Sequence, residues 1–251
     1  SKYYIALPPP PLTDNISDLE RLLRGLRQEY KLNNMTVDFD VVKKLPPMLR
    51  SSDWKVTVTT LVTAIKPRTS TRRRPRLVNI EAGDTRERHY GMALDIGTTA
   101  VKMQLLDLKK GRVICESYDY NGQIDYGADV ITRINYSQKP GGLLKLQQVV
   151  VSTINGLLNH CIDESGVKRD DIGHLMTAGN TTMLQILLGL DPKYIRLAPY
   201  TPAATYVPPV KARELGIDLA DHVYLFASPL VASYVGGDIV AGAVAAGLHQ
   251  T

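Results

Sequence analysis

Five residues in one short stretch, Asp95, Gly97, Thr98, Thr99 and Lys102, have the types and spacing to hold a phosphate chain. Gly97 lets the backbone come close to a ligand. Two hydroxyls follow, and successive N–H groups in such a turn can converge on phosphate oxygens. Asp95, just before the turn, suits a hydrated magnesium ion, because a hard cation prefers carboxylate and water. Lys102 could steady phosphates as a point charge. Taken alone, Asp-x-Gly-Thr-Thr is also compatible with an ordinary hairpin turn. Two further stretches offer chemistry. In Gly179-Asn180-Thr181-Thr182, Asn180 could touch phosphate or substrate, while Thr181 or Thr182 caps a helix. Asp238 precedes a small-residue segment, where it reads as a helix cap. Asp129 and Arg133, four apart on an expected helix, read as a surface ion pair or as part of a cleft wall. The histidines His89, His160, His174, His222 and His249 show no ligand spacing.

The turn needs strands on either side, and the sequence supplies them. Met92–Ile96 is an apolar strand, Val101–Leu106 a second and Arg112–Tyr118 a third, with Asp107–Gly111 as the turn between the last two. Helical patterns follow at about 126–137 and 143–163. Ile172–Thr177 reads as a buried strand entering a helix that runs to Leu190. A proline-rich loop, a strand at Val223–Phe226 and a small-residue helix at Ala241–Leu248 complete the order. A three-stranded meander followed by alternating helices and strands is the ribonuclease-H-like order. Before it, Tyr3–Leu7 is a strand stopped by Pro8–Pro11. Asp14 or Asn15 caps a helix carrying Leu19, Leu22, Leu23 and Leu26. A short helix around Val41–Leu45 ends at Pro46-Pro47. Strands are expected at Trp54–Ile65 and Arg76–Glu81. The expected fold class is therefore α/β: a small α+β domain over residues 1–88, read as a middle or adaptor domain, then a first ribonuclease-H-like lobe with a mixed sheet over 89–251.

Composition limits the function classes. At 251 residues, 44% hydrophobic and 22% charged, the chain has the makings of folded cores. No apolar run reaches the roughly 18 residues of a membrane span, and the first residues hold no signal-peptide core. The two cysteines, Cys115 and Cys161, lie far apart in sequence and lack metal-ligand spacing. A cytoplasmic protein is the default reading. The net charge of +5 has a local origin, since six basic residues and no acids fall between Lys66 and Arg76. Without aromatic residues for base stacking, that segment reads as a solvated basic loop rather than a nucleic-acid site.

Asp95-Ile-Gly-Thr-Thr-Ala-Val-Lys102 resembles the first phosphate motif of the superfamily that contains sugar and acetate kinases, seventy-kilodalton heat-shock chaperones and actin. Tyr234-Val-Gly-Gly-Asp-Ile-Val-Ala-Gly-Ala-Val-Ala-Ala-Gly-Leu248 is similar to that superfamily's first connecting segment, a small-residue helix between lobes. Asp18-Leu-Glu-Arg-Leu-Leu23, Asn121-Gly-Gln, Tyr126-Gly-Ala-Asp-Val-Ile-Thr-Arg-Ile134 and Gly179-Asn-Thr-Thr-Met183 narrow the resemblance to ATP-dependent reductive activators of corrinoid proteins. It implies an actin-like ATPase lobe with Asp95 and Asp238 as catalytic acids, and magnesium held by Asp95 through water. Gly97, Thr98, Thr99, Lys102 and Asn180 are implied as nucleotide-phosphate contacts. It further implies ATP-driven one-electron reduction of Co(II) corrinoid to Co(I) on a methyl-transfer protein. The electron would pass through a two-iron two-sulfur domain with its own electron donor, and the resemblance leaves a homodimer open. That iron–sulfur domain, with its Cys-x4-Cys-x2-Cys cluster, and a second Asp-x-Gly-Thr motif are expected outside these residues. The chain then reads as a fragment, inactive by itself. A sugar or carboxylate kinase of the same superfamily and a non-catalytic docking scaffold are the competing readings; the domain ahead of the phosphate motif argues against a kinase.

Overall fold

A computed structural model describes residues 1–61, 74–233 and 235–248. Lys66, Arg68, Arg72 and Arg73 of the basic run, residues 62–65 of the expected strand, Tyr234 and His249 lie outside the described residues. The chain divides into two compact units, Ser1–His89 and Tyr90–Thr251.

The first unit pairs a four-stranded sheet with two helices. In chain order these are β1 (Lys2–Ala6), α1 (Asp18–Tyr30), β2 (Thr36–Val37), α2 (Phe39–Ser51), β3 (Lys55–Leu61) and β4 (Arg76–Ala82), with the sheet ordered β1-β3-β4-β2. Leu22, Leu26, Val41, Leu45 and Leu49 from the helices bury against Ile5, Val56, Val58, Leu77 and Ile80 from the strands. Two expectations are corrected here. The cap of α1 is Ser17, whose hydroxyl and the Glu20 side chain form a reciprocal capping box. Asp14 instead pairs with Arg21 and Arg24, both at 3.1 Å. Pro46 and Pro47 do not end α2 but lie inside it. Each proline removes one helical donor, yet Leu45 and Leu49 on either side are 1% and 0% exposed. Burying that stripe outweighs the lost bonds.

The second unit is built on a six-stranded mixed sheet. A meander of β5 (Tyr90–Ile96), β6 (Ala100–Asp107) and β7 (Arg112–Tyr120) leads to α3 (Val130–Ser137) and α4 (Gly142–Ser165). Then come β8 (Ile172–Gly179), α5 (Thr181–Leu187), β9 (Val210–Lys211), β10 (Tyr224–Ala227) and α6 (Gly237–Ala245). The sheet order is β7-β6-β5-β8-β10-β9, with β8 parallel to both β5 and β10. This is the ribonuclease-H-like order the sequence led us to expect, with β9 added as a short antiparallel edge. The core is a single cluster in which Leu146, Val150, Ile154, Leu158 and Cys161 of α4 meet Leu94, Val101, Met103 and Leu105 of the meander. Cys115 on β7 joins its margin. Burial and a hydrogen bond with the Cys115 thiol push the Cys161 thiol up to about 12, which keeps it a packing residue.

Some boundaries also move. The helical pattern expected from residue 126 resolves into a 3₁₀ turn, Gly122–Tyr126, followed by α3. The helix after Asn180 stops at Leu187, and α6 begins at Gly237 rather than Ala241. Asp238 therefore sits in the first turn of α6.

The single tryptophan, Trp54, lies in the core of the first unit and reports on it. Leu49→Ala removes a fully buried side chain and should lower that unit's stability by about 2–5 kcal/mol. Urea unfolding followed by Trp54 fluorescence measures this, and an unmoved midpoint would contradict the packing described.

Candidate functional site

The three strands β5, β8 and β10 run parallel, so their C-terminal ends gather at one edge of the sheet. In open α/β sheets that edge is where ligands bind. Backbone meets backbone there without room for side chains. A Cβ on Gly97 would lie 2.7 Å from the Ala100 carbonyl oxygen, and one on Gly179 would lie 2.8 Å from that of Ile96. A Cβ on Gly236 would stand 2.4 Å from Asn180 Cα and 2.7 Å from the Gly179 oxygen. Glycines at these contacts let the turn after β5, the end of β8 and the start of α6 converge.

The turn Gly97–Thr99 is gripped by its carbonyls. Asn121 Nδ2 donates to the Gly97 oxygen at 2.9 Å, and the Asn121 N–H donates to the Thr99 oxygen at 2.8 Å. Arg133 Nη2 donates to the Thr98 oxygen at 2.6 Å. In a planar trans peptide the C=O and the following N–H point in opposite directions. With Gly97 and Thr98 carbonyls drawn back to Asn121 and Arg133, the N–H groups of Thr98 and Thr99 must point the other way. Among the described residues neither N–H has an acceptor. Two adjacent outward N–H groups form a concavity suited to an anion.

Asn180 links this turn to β8. Its Nδ2 donates to Thr98 Oγ1 at 3.1 Å, while its Oδ1 accepts from the Met183 N–H at 3.0 Å and caps α5. Capping thus falls to Asn180 itself. Thr181 and Thr182 are buried, with Thr181 Oγ1 donating to the Ala232 oxygen at 2.8 Å.

Beside the turn a groove of about 690 Å³ opens between the sheet and α6. Ala93, Met176, Ala178, Val240 and Val244 make its walls apolar, and Asp95, Lys102 and Asp238 line it. Asp95 is exposed and lines the groove. Burial raises its pKa, the Asp238 charge raises it further, and Lys102 pulls it back. A pair of facing carboxylates without a directly bound cation is a donor set that fits a hydrated magnesium ion, which needs only one or two carboxylates beside phosphate. Among the described residues no cluster of three or more such ligands exists. Asp238 Oδ1 also accepts its neighbour Ile239's N–H at 2.8 Å. Lys102 is placed differently from the expectation of a free phosphate contact. It lies opposite Tyr118 on β7 and forms an ion pair with Glu116.

The match of two contiguous family descriptions to this chain decides its kinship: the RACo linker region covers residues 1–87 and the RACo middle region residues 90–251. The chain belongs to the RACo family. It is similar to a solved structure of a reductive activator for corrinoid, iron-sulfur protein, with TM-score 0.88 and 40% identity over 100% of this chain and 39% of that one. It is 30% identical over 153 residues to the corrinoid activation enzyme RamQ of Eubacterium limosum, covering 61% of this chain and 26% of RamQ. The RACo chain here therefore spans well under half the length of either relative. No helix among the described residues is long and apolar enough to cross a membrane.

Within this RACo chain, Asp95, Gly97, Thr98, Thr99 and Asn180 come together, and Asp238 reaches Asp95 across the groove. Sequence reasoning named Asn121 and Arg133 but gave neither a role behind the turn. Asp129 caps α3 through the Thr132 N–H at 2.8 Å, and Arg133 is wholly buried instead of pairing at the surface. The available signal was Gly127: a Cβ there would lie 2.8 Å from the Arg133 N and 3.0 Å from its Cγ, so the glycine marks a packed arginine.

The raised Asp95 pKa makes a signed prediction. Between the ordinary value of 3.8 and the folded value, the folded state binds the extra proton, so stability falls as pH rises through that window. Above that window the cost is complete. Asp95→Asn should raise the melting temperature slightly at neutral pH, and the gain should vanish below pH 3.8. Thermal unfolding of both forms across that range checks it.

Proposed function

We propose that the intact protein is an ATP-dependent reductive activator that returns a Co(II) corrinoid on a methyl-transfer protein to Co(I), and that this chain supplies its linker unit (1–88) and first nucleotide-binding lobe (89–251). The observation that carries this reading is the outward pair of N–H groups at Thr98 and Thr99, fixed from behind and flanked by two acids. Family membership supports it, and so do the corrinoid activators among its relatives.

In this reading the Thr98 and Thr99 N–H groups and hydroxyls bind phosphate oxygens, and Asn180 keeps the Thr98 side chain in place. Asp95 holds the hydrated magnesium ion of the nucleotide. That ion would neutralise charge on the phosphates. Asp238, at the start of α6, orients the attacking water. The apolar groove walls keep bulk water from the reacting bond. A second lobe outside this chain closes the site, and electrons come from a donor through a two-iron two-sulfur domain also outside it. ATP hydrolysis would drive the otherwise uphill one-electron transfer to the corrinoid.

The test uses the intact protein with its corrinoid partner and a low-potential electron donor. Loss of the Co(II) absorption band should require ATP. Asp95→Asn should slow both phosphate release and Co(II) loss about a hundredfold or more, the scale of removing an electrostatic catalytic group. Equal reduction rates with and without ATP would sink the proposal.

A further inference from the structure

Arg133 is 0% exposed, and every hydrogen bond it makes goes to a neutral group. Nε donates to the Gly127 oxygen at 2.9 Å, Nη1 to Gln123 Oε1 at 3.0 Å and to Met183 Sδ at 3.1 Å, and Nη2 to the Thr98 oxygen at 2.6 Å. Among the described residues no carboxylate pairs with it; Asp129 acts only at a distance, from the exposed cap of α3. Burial pulls the guanidinium pKa down to about 10, which still leaves it charged at neutral pH. A buried cation without a paired anion is costly, and this one is tailored into place. Gln123, itself 0% exposed, is anchored by donating to the Leu146 oxygen at 3.0 Å, and Gly127 leaves no space for a side chain beside the arginine.

The front of the site has the opposite deficit. Asp95 and Asp238 are both negative there, and Lys102 is tied to Glu116. An incoming phosphate chain meets no unpaired side-chain cation among the described groove residues. We propose that Arg133 is the positioning residue that supplies this charge from behind: it fixes and polarises the Thr98–Thr99 peptide, so that a bound phosphate becomes its missing counter-anion without touching it. The guanidinium draws electron density from the Thr98 carbonyl, which makes the Thr99 N–H a stronger donor. Its field also reaches the anion through a low-dielectric wall, where charge acts further than in water. The inference rests on the phosphate-binding reading of this turn and adds to it where the positive charge comes from.

The experiment compares ATP and adenosine binding, by calorimetry, to the intact wild-type protein and to its Arg133→Met and Arg133→Lys variants. Adenosine is the uncharged control, since a charge effect must scale with phosphate. Arg133→Met should weaken ATP about tenfold or more and leave adenosine within about twofold. Arg133→Lys keeps a charge while losing the planar fork, and should recover ATP affinity to within about threefold of wild type. ATP bound equally well by Arg133→Met, equal losses for ATP and adenosine, or a lysine variant no better than methionine would each overturn the inference. If Arg133→Met does not fold, the lysine variant decides alone: a tenfold or deeper ATP loss overturns it. Wild-type protein that binds no ATP sinks the functional reading itself, a result visible before any variant is compared.

Discussion

Peptide planarity is the constraint on which the site depends. A carbonyl pulled one way sends the next N–H the other way, so a binding surface at Thr98 and Thr99 is made by groups that no ligand touches. Asn121 grips on either side of Thr98, and Arg133 grips Thr98 itself. The Arg133 bond, from a charged donor, contributes about 1.5–3 kcal/mol, and the two from neutral Asn121 about 0.5–1.5 kcal/mol each. That is enough to hold a three-residue turn that would otherwise sample several conformations. The fixed donors then need no rearrangement when an anion arrives, which is how preorganised dipoles differ from water.

This grip requires several segments to meet within backbone distance, and the parallel part of the sheet brings them there. β5 ends at Ile96, β8 at Gly179, and α6 starts at Gly237 against Ser228, where a Cβ would lie 2.7 Å from the serine Cβ. Gly97, Gly179 and Gly236 each meet backbone, and Gly237 meets the Ser228 side chain. The chain of contact runs from the Ala100 carbonyl through Gly97, Ile96 and Gly179 to Asn180 and Gly236. A shift at one of these points is transmitted to the next, because close-packed backbone has no soft side chain to absorb it. The site is therefore carried by the regular part of the fold, and its two acids arrive from opposite ends of that contact chain.

Much of this was legible before any coordinates. The meander announces itself because β5 and β6 are short apolar strands around an Asp-x-Gly-Thr-Thr turn, a local pattern of period two. Asp238 before a run of small residues likewise reads from local sequence. What failed to read was set by tertiary packing. Pro46-Pro47 is a stop signal in isolation, but buried Leu45 and Leu49 carry α2 past it. Lys102 lies three residues after Thr99, which suggests a phosphate contact; strand pairing instead places it beside Glu116 of β7. Asp129 and Arg133 have the spacing of a surface pair. No spacing rule could show that a 3₁₀ turn would bring buried Gln123 and Gly127 around the arginine.

The charges then sort into layers. Behind the turn lies one buried cation with neutral partners; in front lie Asp95 and Asp238, close enough for one to raise the pKa of the other. A bare polyanion placed between them would be attracted from behind and repelled from the side. A phosphate chain that carries its own divalent cation reverses the second term, since the carboxylates then face positive charge. On the proposed reading, the same arrangement would favour the magnesium complex of a nucleotide over the free nucleotide, through where the acids stand. Lys102 has a consistent place in this scheme. Its ammonium is held by Glu116 and lowers the pKa of Asp95 against the burial and the Asp238 charge that raise it, without forming a direct ion pair with that carboxylate. A lysine bound to Asp95 would have filled the position the cation needs.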